Sequence, residues 1–404
     1  MFPPVNEQMD LVKRGTTEII PEDDLVRKFE KSIKTKKPLN VKLGCDPSRP
    51  DLHLGHSVVL RKLRQFQTLG HQAILIIGDF TGMIGDPTGK SKTRPSLSLE
   101  ETRTNGQSYF EQATKILSAQ HITMLYNSEW LAKMSFADVI HLASKYTVAR
   151  MLERDDYSER YKAGEPISIH EFLYPLAQAM DSVAIKADVE LGGSDQKFNL
   201  LVGRDIQKEF GQEPQAILTM PLLVGTDGTE KMSKSYDNYI AINDSPKDMY
   251  GKTLRIPDSL IYTYFELTTD VSGKDLKEIK KKLESGAVNP RDLKRTLART
   301  LVTLYYDANI ALKAEEEFDR IFVDKSLPAE VEELRLKSAD GSPSISTLMV
   351  NSKLASSKSD ARRLIEQGGV SIDGEKVTDL NAPLPTKPEF ILKVGKRRFL
   401  RVLQ

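Results

Sequence analysis

Two short runs of residues, far apart in the chain, carry the side chains that a nucleotide-handling site needs. The first is the His-Leu-Gly-His run at 53–56, and the second is the Lys-Met-Ser-Lys-Ser run at 231–235. Backbone N–H groups at a helix N-terminus attract anions, and imidazole and ammonium groups can stabilise charge that develops on phosphate oxygens. The two runs predict a phosphate site, although paired histidines at a helix start also occur as ordinary surface residues.

A Gly-rich segment at 79–91 has some features of a phosphate-binding P-loop, but its spacing is wrong. That loop needs four residues between its first glycine and its Gly-Lys pair, whereas Gly85 and Gly89 enclose three. Asp86 adds an anion and Pro87 removes an N–H group where phosphates would lie. We therefore exclude a P-loop and expect Asp86 to bind an ammonium group of a ligand.

A third candidate is a polar face on the helix predicted at 169–181. Tyr174, Gln178 and Asp181 fall at positions i, i+4 and i+7, which share one helix face. A hydroxyl, an amide and a carboxylate in an otherwise apolar helix require polar partners. Those partners are either a ligand or an internal hydrogen-bond network. Trp130, by contrast, is predicted to be an ordinary core residue.

The elements that would position these residues alternate between strands and helices. Short apolar runs predict buried strands, and apolar residues at helical spacing predict helices. The predicted strands lie at 39–44, 73–78, 189–191 and 221–224, with helices after the first and third strands, a mainly helical region at 99–150 and a helical arm at 1–38. This alternation predicts an α/β fold with a doubly wound parallel sheet, which binds ligands at the carboxyl ends of its strands.

Beyond the second run the pattern becomes helical and then basic. A charged helix is predicted at 274–284 and one long amphipathic helix at 291–322. Residues 344–404 contain 11 Lys and Arg against 6 Asp and Glu, although the whole chain has a net charge of only +1. A basic end segment is a candidate nucleic-acid surface. On charge alone, a solvated basic face is the simpler explanation.

Length and composition limit the class of protein. A chain of 404 residues suggests two or three domains, and 39% hydrophobic with 28% charged residues is typical of a globular protein. No apolar run approaches the ~20 residues of a membrane span, and the first residues lack the layout of a signal peptide. Cys45 is the single cysteine, which excludes an internal disulfide or a Cys-pair zinc cluster. A cytoplasmic location is expected.

Taken with a Gly-Gly-Ser-Asp-Gln run at 192–196, the two opening runs resemble those of the class I aminoacyl-tRNA synthetases. The segment at 82–90, the polar face at 174–181 and the basic tail are similar to the bacterial, tyrosine-activating branch of that family. The resemblance implies a Rossmann-like catalytic domain at 1–240, an α-helical anticodon-recognition domain at 241–326, a linker at 327–343 and a small α+β, S4-like RNA-binding domain at 344–404.

The resemblance also implies roles for individual residues. The implied catalytic residues are His53, His56, Lys231 and Lys234, which would stabilise the α-phosphate and the leaving pyrophosphate. The other residues implied to contact ATP are Gly55, Lys90, Arg94, Asp195, Met232, Ser233 and Ser235. The residues implied to bind tyrosine are Asp86, Tyr174 and Gln178 at its ammonium group, Asp181 at its phenolic hydroxyl, and Gln196 and Lys42. Those implied to contact tRNA are Lys358, Arg362 and Arg363 of the tail.

Lys42 departs from the pattern of many tyrosine-activating members. In those members, a tyrosine on the strand before the Gly-x-Asp-Pro segment shares the phenolic hydroxyl, whereas this chain has Lys42. We expect Lys42 to hold either Asp181 or the phenol instead. A site that hydrogen-bonds a substrate hydroxyl rejects the analogue that lacks it, so discrimination against phenylalanine needs no editing domain.

The implied reaction is activation of L-tyrosine by ATP to tyrosyl-adenylate and pyrophosphate, followed by transfer of tyrosine to the 3′-terminal adenosine of tRNA(Tyr). The attacking carboxylate is already ionised, so catalysis requires positioning and electrostatics rather than a general base. Mg²⁺ would arrive with ATP and pyrophosphate, and no tightly bound metal is expected. A homodimer is implied by the family, and no DNA or membrane partner is expected.

Two alternatives stay open beside this one. The tryptophan-activating sister branch shares both opening runs, but Asp181 and the tail argue against it. A non-catalytic RNA-binding protein with the synthetase fold would not need both runs intact. Amino-acid-dependent exchange of pyrophosphate into ATP separates the three.

Overall fold

The computed structural model describes residues 2–47, 51–87, 99–323, 331–336, 344–379, 383–395 and 398–404. The chain divides into two compact units, Met1–Ala311 and Leu312–Gln404. None of the described helices has the length and apolar composition needed to cross a bilayer. The finer domain limits given above stay a prediction.

Helices connect most of the strands and make up most of the residues between them. They are α1 (Val5–Lys13), α2 (Glu22–Thr35), α3 (Leu54–Thr68), α4 (Thr81–Ile84), α5 (Leu99–Ala113), α6 (Ser128–Leu131), α7 (Phe136–Ala143), α8 (Val148–Met151), α9 (Asp155–Lys162), α10 (Ile169–Ile185), α11 (Lys197–Glu209), α12 (Pro246–Thr253), α13 (Ile261–Thr268), α14 (Gly273–Ser285), α15 (Pro290–Tyr305), α16 (Ala308–Phe322), α17 (Ile345–Asn351) and α18 (Lys358–Glu366).

The strands form one sheet in each unit. They are β1 (Glu18–Ile20), β2 (Asn40–Cys45), β3 (Gln72–Ile77), β4 (Ile122–Tyr126), β5 (Val189–Gly193), β6 (Ala216–Met220), β7 (Glu332–Arg335), β8 (Val370–Ile372), β9 (Glu375–Lys376), β10 (Glu389–Val394) and β11 (Arg398–Leu403). The sheet of the first unit has the strand order β1-β6-β5-β2-β3-β4, and that of the second has the order β7-β11-β10-β8-β9.

The first sheet is parallel from β4 to β6, with β1 antiparallel at its edge. Apolar side chains of β3 and β6 are buried because helices cover the sheet, as parallel sheets require. From β2 the chain proceeds to β3 and β4 on one side, and β5 and β6 lie on the other. The order reverses between β2 and β5, and such a switch point is where open α/β sheets bind ligands.

This architecture confirms the predicted fold class: a doubly wound sheet, then helices, then a small α+β unit. The second unit packs α17 and α18 against its sheet around buried residues that include Leu348, Ile365 and Phe390. Its core is separate from the sheet of the first unit, and its limits at 312–404 include the whole basic tail.

Several local predictions are wrong. The segment at 99–150 contains β4, and the helical arm at 1–38 contains β1; both are short edge strands that are only partly buried. The last strand is β6 rather than 221–224, where Pro221 cannot donate a ladder hydrogen bond. The long helix at 291–322 is two helices, because Tyr306 leaves the helical conformation and the Asp307 carboxylate accepts from the Ile310 N–H group.

Candidate active site

A cavity of about 790 Å³ opens at the carboxyl ends of β2, β5 and β6. It brings together residues from every run that the sequence singled out in the first unit. The predicted residues that line it are His53, Gly55, His56, Asp86, Tyr174, Gln178, Asp181, Asp195, Gln196, Lys231, Met232, Ser233, Lys234 and Ser235. Lys90 and Arg94 lie outside the described residues.

The two histidines of the first run begin α3 and cap each other's backbone. His53 Nδ1 accepts a hydrogen bond from the Gly55 N–H group at 3.1 Å, and His56 Nδ1 accepts one from the His53 N–H group at 3.2 Å. A neutral imidazole whose Nδ1 accepts carries its proton on Nε2. Each ring can therefore offer an Nε2–H donor to a ligand in the cavity.

Burial keeps both imidazoles uncharged. Burial first, and then the neighbouring His56 and Lys234, lower the pKa of His53 to about 2. Burial first, and Lys234 second, lower the pKa of His56 to about 4. Near neutral pH the pair therefore offers neutral donors, in a fixed tautomer, at the start of a helix.

A buried methionine and one asparagine hold the second run in place. The Met232 side chain is buried, and its N–H group donates to the Leu223 carbonyl at 2.7 Å. Asn238 accepts from the Ser233 N–H group at 2.7 Å and donates to the Lys231 carbonyl at 3.1 Å. The backbone of the run is thus anchored, while its two lysine side chains extend into the cavity.

Each lysine of this run is paired with a carboxylate across the cavity. Lys234 Nζ lies 3.0 Å from Asp51, two residues before His53, and Lys231 Nζ lies 3.5 Å from Asp195. Asp51 is 54% exposed and Asp195 is 31% exposed. The Lys234 side chain is 14% exposed, so in that pair the carboxylate is the exposed partner. Ion pairs open to solvent contribute little stability, so a phosphate can replace the carboxylate at low cost.

Asp181 lies at the other end of the cavity, held by two donors. Trp130 Nε1 donates to its carboxylate at 2.9 Å and Asn127 Nδ2 donates at 3.4 Å. Burial raises the pKa of Asp181 to about 7, although Lys42 and the two donors oppose the shift. The expectation that Trp130 is an ordinary core residue is therefore wrong, because its indole N–H group orients a buried carboxylate.

Tyr174 and Gln196 are also tied to acidic side chains. The Tyr174 hydroxyl donates to Asp46 at 2.8 Å, and Gln196 Nε2 donates to Asp86 at 2.8 Å. The Thr81 hydroxyl holds the second oxygen of Asp46 at 2.7 Å. Since the Tyr174 proton is used in this bond, its oxygen is left as an acceptor towards the cavity.

The sequence analysis did not identify Asp46 and Asn127 as site residues. The sequence features that could have identified them differ between the two. Asp46 follows β2 directly, and a carboxylate at the carboxyl end of a central strand was a usable signal. Asn127 follows β4 in the same way, but that strand was itself missed. Trp130 had no signal of its own, because its position depends on the same strand end.

Lys42 is not where its expected role requires. It is fully buried beneath the cavity wall, and it pairs with Glu190 at 2.8 Å. Its other two hydrogen bonds go to the Gln178 carbonyl at 3.0 Å and the Ser182 hydroxyl at 2.9 Å. An ammonium group has three protons, so these contacts leave none for the phenol or for Asp181. The expected direct contact is therefore wrong, and Lys42 acts on Asp181 only through its charge.

The three tail residues lie on the outer surface of the second unit, at α18. Arg362 and Arg363 are 66% and 62% exposed, and each pairs with a carboxylate of its own helix, Glu366 and Asp360. Lys358 begins the same helix and is exposed. Within the described part of the chain, no group of three or more His, Cys, Asp or Glu side chains is placed to hold a metal ion.

Comparison with known proteins identifies this arrangement. Residues 34–323 match the family of class I tRNA synthetases described as W and Y, and residues 345–395 match the S4 domain. The chain therefore belongs to the class I tRNA synthetases and is an aminoacyl-tRNA synthetase.

Within that family, two similar relatives are both tyrosine–tRNA ligases. The chain is 58% identical to a tyrosine–tRNA ligase of Chlorobaculum tepidum over 403 residues, which cover 100% of this chain and 98% of the relative. It is 56% identical to a tyrosine–tRNA ligase of Salinibacter ruber, covering 99% of this chain and 97% of the relative. The chain thus groups with the tyrosine branch rather than the tryptophan branch.

Solved structures support the fold. A tyrosyl-tRNA synthetase of Archaeoglobus fulgidus, complexed with L-tyrosine, superposes with a TM-score of 0.63 at 24% identity and covers 76% of this chain and 100% of its own. A C-terminally truncated mitochondrial tyrosyl-tRNA synthetase of Aspergillus nidulans gives a TM-score of 0.65 at 22% identity, covering 79% of this chain and 94% of its own. At these identities the likeness concerns the fold alone.

Proposed function

We propose that the chain is a tyrosine–tRNA ligase in which the residues of the cavity divide the work between two substrates. ATP and tyrosine would meet in the cavity, the tyrosine carboxylate would attack the α-phosphorus, and pyrophosphate would leave. The tyrosyl group then passes to the 3′-terminal adenosine of tRNA(Tyr), displacing AMP. The observation that carries this proposal is the meeting of both opening runs and the polar face of α10 in one cavity.

The nucleotide half would use His53, His56, Lys231 and Lys234. Two neutral Nε2–H donors at the start of α3 are suited to the oxygens of the α-phosphate, where negative charge grows during attack. The two lysines would exchange Asp51 and Asp195 for the pyrophosphate. Gly55, Asp195 and Met232 to Ser235 would line the nucleotide, and Lys90 and Arg94 belong to this half as proposed from the sequence alone.

The tyrosine half would use side chains of α10 and their neighbours. Asp181 would accept from the phenolic hydroxyl, while Tyr174, Gln178 and Asp86 would surround the ammonium group. Gln196 is held by Asp86 and would face the same substrate. A phenylalanine ring would leave the buried Asp181 carboxylate without the hydroxyl, and an unsatisfied buried polar group costs roughly 1–3 kcal/mol.

Mg²⁺ would enter with ATP and leave with pyrophosphate, since it binds preferentially through substrate phosphates. No protein ligand is assigned to it here. A cytoplasmic location belongs to the same proposal, because charged tRNA is consumed by ribosomes there.

The second unit would hold tRNA through the exposed cations of α18, which are suited to contacts with phosphate. Replacing Lys358, Arg362 and Arg363 together by alanine in the full chain should lower kcat/KM for tRNA about 10-fold or more. Adenylate formation should stay within about 2-fold, because the cavity is untouched. Lys387→Ala removes another exposed cation of the same unit and serves as the matched control. An equal loss of both activities in the triple variant would contradict an RNA-only role.

A homodimer is also part of the proposal. Large apolar side chains between 136 and 169 are more than half exposed, and large exposed apolar groups mark interaction sites. They are Phe136 at 80%, Ile140 at 56%, Val148 at 61%, Tyr161 at 68% and Ile169 at 81%. We expect the double variant Phe136→Glu/Ile169→Glu to sediment as a monomer, and Leu312→Glu, an exposed apolar control, to keep the mass of the wild type. A monomeric wild type would contradict this part of the proposal.

The direct test is charging of a tRNA(Tyr) transcript with labelled tyrosine. The expected product is tyrosyl-tRNA, formed only when ATP and Mg²⁺ are both present. Failure to charge this transcript, with charging of a tRNA(Trp) transcript by tryptophan instead, would overturn the assignment.

A further inference from the structure

A buried ion pair lies directly behind the tyrosine half of the cavity. Lys42 on β2 is 0% exposed and Glu190 on β5 is 1% exposed, and their charged atoms are 2.8 Å apart. Neither residue lines the cavity. The two strands are neighbours at the point where the sheet reverses its order, so the pair lies beneath the ligand-binding edge.

Both oxygens of Glu190 are fully engaged. Oε1 faces Lys42 and also accepts from Gln178 Nε2 at 3.2 Å. Oε2 accepts from the Ser182 hydroxyl at 3.2 Å and from Gln215 Nε2. Since a carboxylate has no proton to donate, every group around Glu190 must turn a donor towards it.

This requirement fixes the orientation of one residue that does line the cavity. Gln178 must direct its NH2 group towards Glu190, so its carbonyl oxygen Oε1 is directed away from the ion pair. Within the described part of the chain, no donor reaches that oxygen. Lys42 also clamps the helix at this point, because its ammonium group donates to the Gln178 backbone carbonyl at 3.0 Å.

We propose that Lys42 and Glu190 are positioning residues for tyrosine: the pair holds the Gln178 amide so that Oε1 accepts a hydrogen bond from the substrate ammonium group. The inference rests on the proposed function, because it takes tyrosine as the ligand. A glutamine that could rotate freely would present its NH2 group to the ammonium about as readily as its oxygen. The ion pair removes that second, repulsive orientation.

Stability alone does not account for this pair. Apolar residues of similar volume at two buried positions are often as stable as an ion pair, or more so. The pair does, however, provide a one-sided acceptor next to the only amide of α10 that faces the cavity within the described residues. The buried carboxylate and ammonium group therefore orient the Gln178 amide rather than add stability.

The test compares two ligands that differ only in the ammonium group. Dissociation constants are measured by calorimetry on the full chain for tyrosine and for 3-(4-hydroxyphenyl)propionate, which keeps the phenol and the carboxylate. The double variant Lys42→Met/Glu190→Met removes the pair without leaving an unpaired charge. We expect it to lower the preference for tyrosine over the des-amino ligand about 10-fold, because hydrogen bonds to charged groups are of that strength.

Two further variants separate positioning from packing. Glu190→Gln keeps an oxygen for Gln178 and should keep the preference within about 3-fold of the wild type. Glu171→Gln is the matched control, since Glu171 lies on α10 like Gln178 and forms a different buried ion pair, with Arg160 at 2.6 Å. It should lower the melting temperature and leave the preference unchanged. If the double variant does not fold, Glu190→Asp, which withdraws the carboxylate from Gln178, should lower the preference instead.

Each outcome bears on one claim. A lower preference in the double variant, with Glu190→Gln close to the wild type, supports the positioning role. An equal loss of affinity for both ligands, or an unchanged preference, overturns it. Failure of the wild type to bind tyrosine would instead overturn the proposed function, so the two failures are distinguishable.

Discussion

The two halves of the cavity are built differently. On the tyrosine side, Asp181 is 3% exposed, and its partners Asn127 and Trp130 belong to the segment that follows β4. On the nucleotide side, Lys231 and Lys234 are paired with carboxylates that are 31% and 54% exposed. Replacing a buried hydrogen-bond partner by solvent is costly, whereas an exposed ion pair contributes only about 0–1 kcal/mol of stability.

This difference matches the two tasks that the halves would perform. Selection of one amino acid needs fixed donors and acceptors, and a rigid network provides them. Stabilising the departing pyrophosphate needs cations that can exchange a carboxylate partner for a phosphate. The comparison predicts that substitutions on the nucleotide side change the rate of adenylate formation, whereas those on the tyrosine side change the selection of the amino acid.

The largest effect is expected at Lys234. Lys234→Ala should slow tyrosyl-adenylate formation about 100- to 1,000-fold, which is the usual result of removing one transition-state donor. The dissociation constant for tyrosine should change less than about 2-fold, because Asp181 and its partners are untouched. Single-turnover release of pyrophosphate and calorimetry measure the two quantities.

Lys252→Ala is the control for this experiment, since Lys252 pairs with Asp244 outside the cavity lining. It should change neither quantity. Equal losses in adenylate formation and tyrosine binding for Lys234→Ala would show that the lysine supports the structure rather than the transition state.

The next effect is expected at Asp181. Asp181→Asn should lower the discrimination between tyrosine and phenylalanine about 10- to 100-fold, and leave the KM for ATP nearly unchanged. The pKa of Asp181, about 7, lies above its ordinary value of 3.8, so the folded chain keeps a proton that the unfolded chain loses. The carboxyl therefore lowers the free energy of unfolding as the pH rises through this window.

The variant should consequently raise the melting temperature more at pH 8 than at pH 5. Steady-state exchange kinetics and calorimetric melting provide the two readouts. A variant that kept its discrimination while losing stability at pH 8 would contradict the role of Asp181.

A smaller effect concerns the charge of the two histidines. The pKa values of His53, about 2, and His56, about 4, lie below the ordinary value of 6.5. Both imidazoles should therefore keep the chemical shifts of the neutral, Nε2-protonated form from pH 8 to about 5 in nitrogen NMR spectra. Below pH 6.5 these histidines bind protons in the unfolded chain but not in the folded chain. They therefore lower the free energy of unfolding as the pH falls.

The assignment of these signals comes from His53→Gln and His56→Gln. A cavity signal that titrated near pH 6.5 would show a charged imidazole, and neutral-donor stabilisation would have to be abandoned for that ring.

The smallest effect is expected at Asp51. Asp51→Asn releases Lys234 from an ion pair whose carboxylate is 54% exposed, so the KM for ATP should change by less than about 5-fold. The affinity for tyrosine should be unaffected. A change of about 100-fold in adenylate formation would show that Asp51 does more than pair with an exchangeable lysine.

The nucleotide half was largely predictable from the sequence, and the tyrosine half only in part. The two opening runs are local patterns, so residues such as His53 and Lys234 could be named before their neighbours were known. The face of Tyr174, Gln178 and Asp181 was predictable from helical spacing alone.

What holds that face was not predictable, because it depends on strands that are distant in sequence. Asn127 and Trp130 follow a short, partly buried edge strand that the sequence analysis did not predict. Lys42 could be recognised as unusual, but its pairing with Glu190 requires β2 and β5 to be neighbours. Spacing shows which side chains share an element, whereas the order of strands decides which elements meet.

The central claim is that this cavity activates tyrosine. Its most direct measurement is amino-acid-dependent exchange of labelled pyrophosphate into ATP by the wild-type chain, with tyrosine, tryptophan and phenylalanine compared side by side. We predict exchange with tyrosine and none above background with the other two at equal concentration. Exchange with tryptophan in place of tyrosine would contradict the assignment of Asp181 to a phenolic hydroxyl, and no exchange with any of them would contradict the claim that the cavity is catalytic.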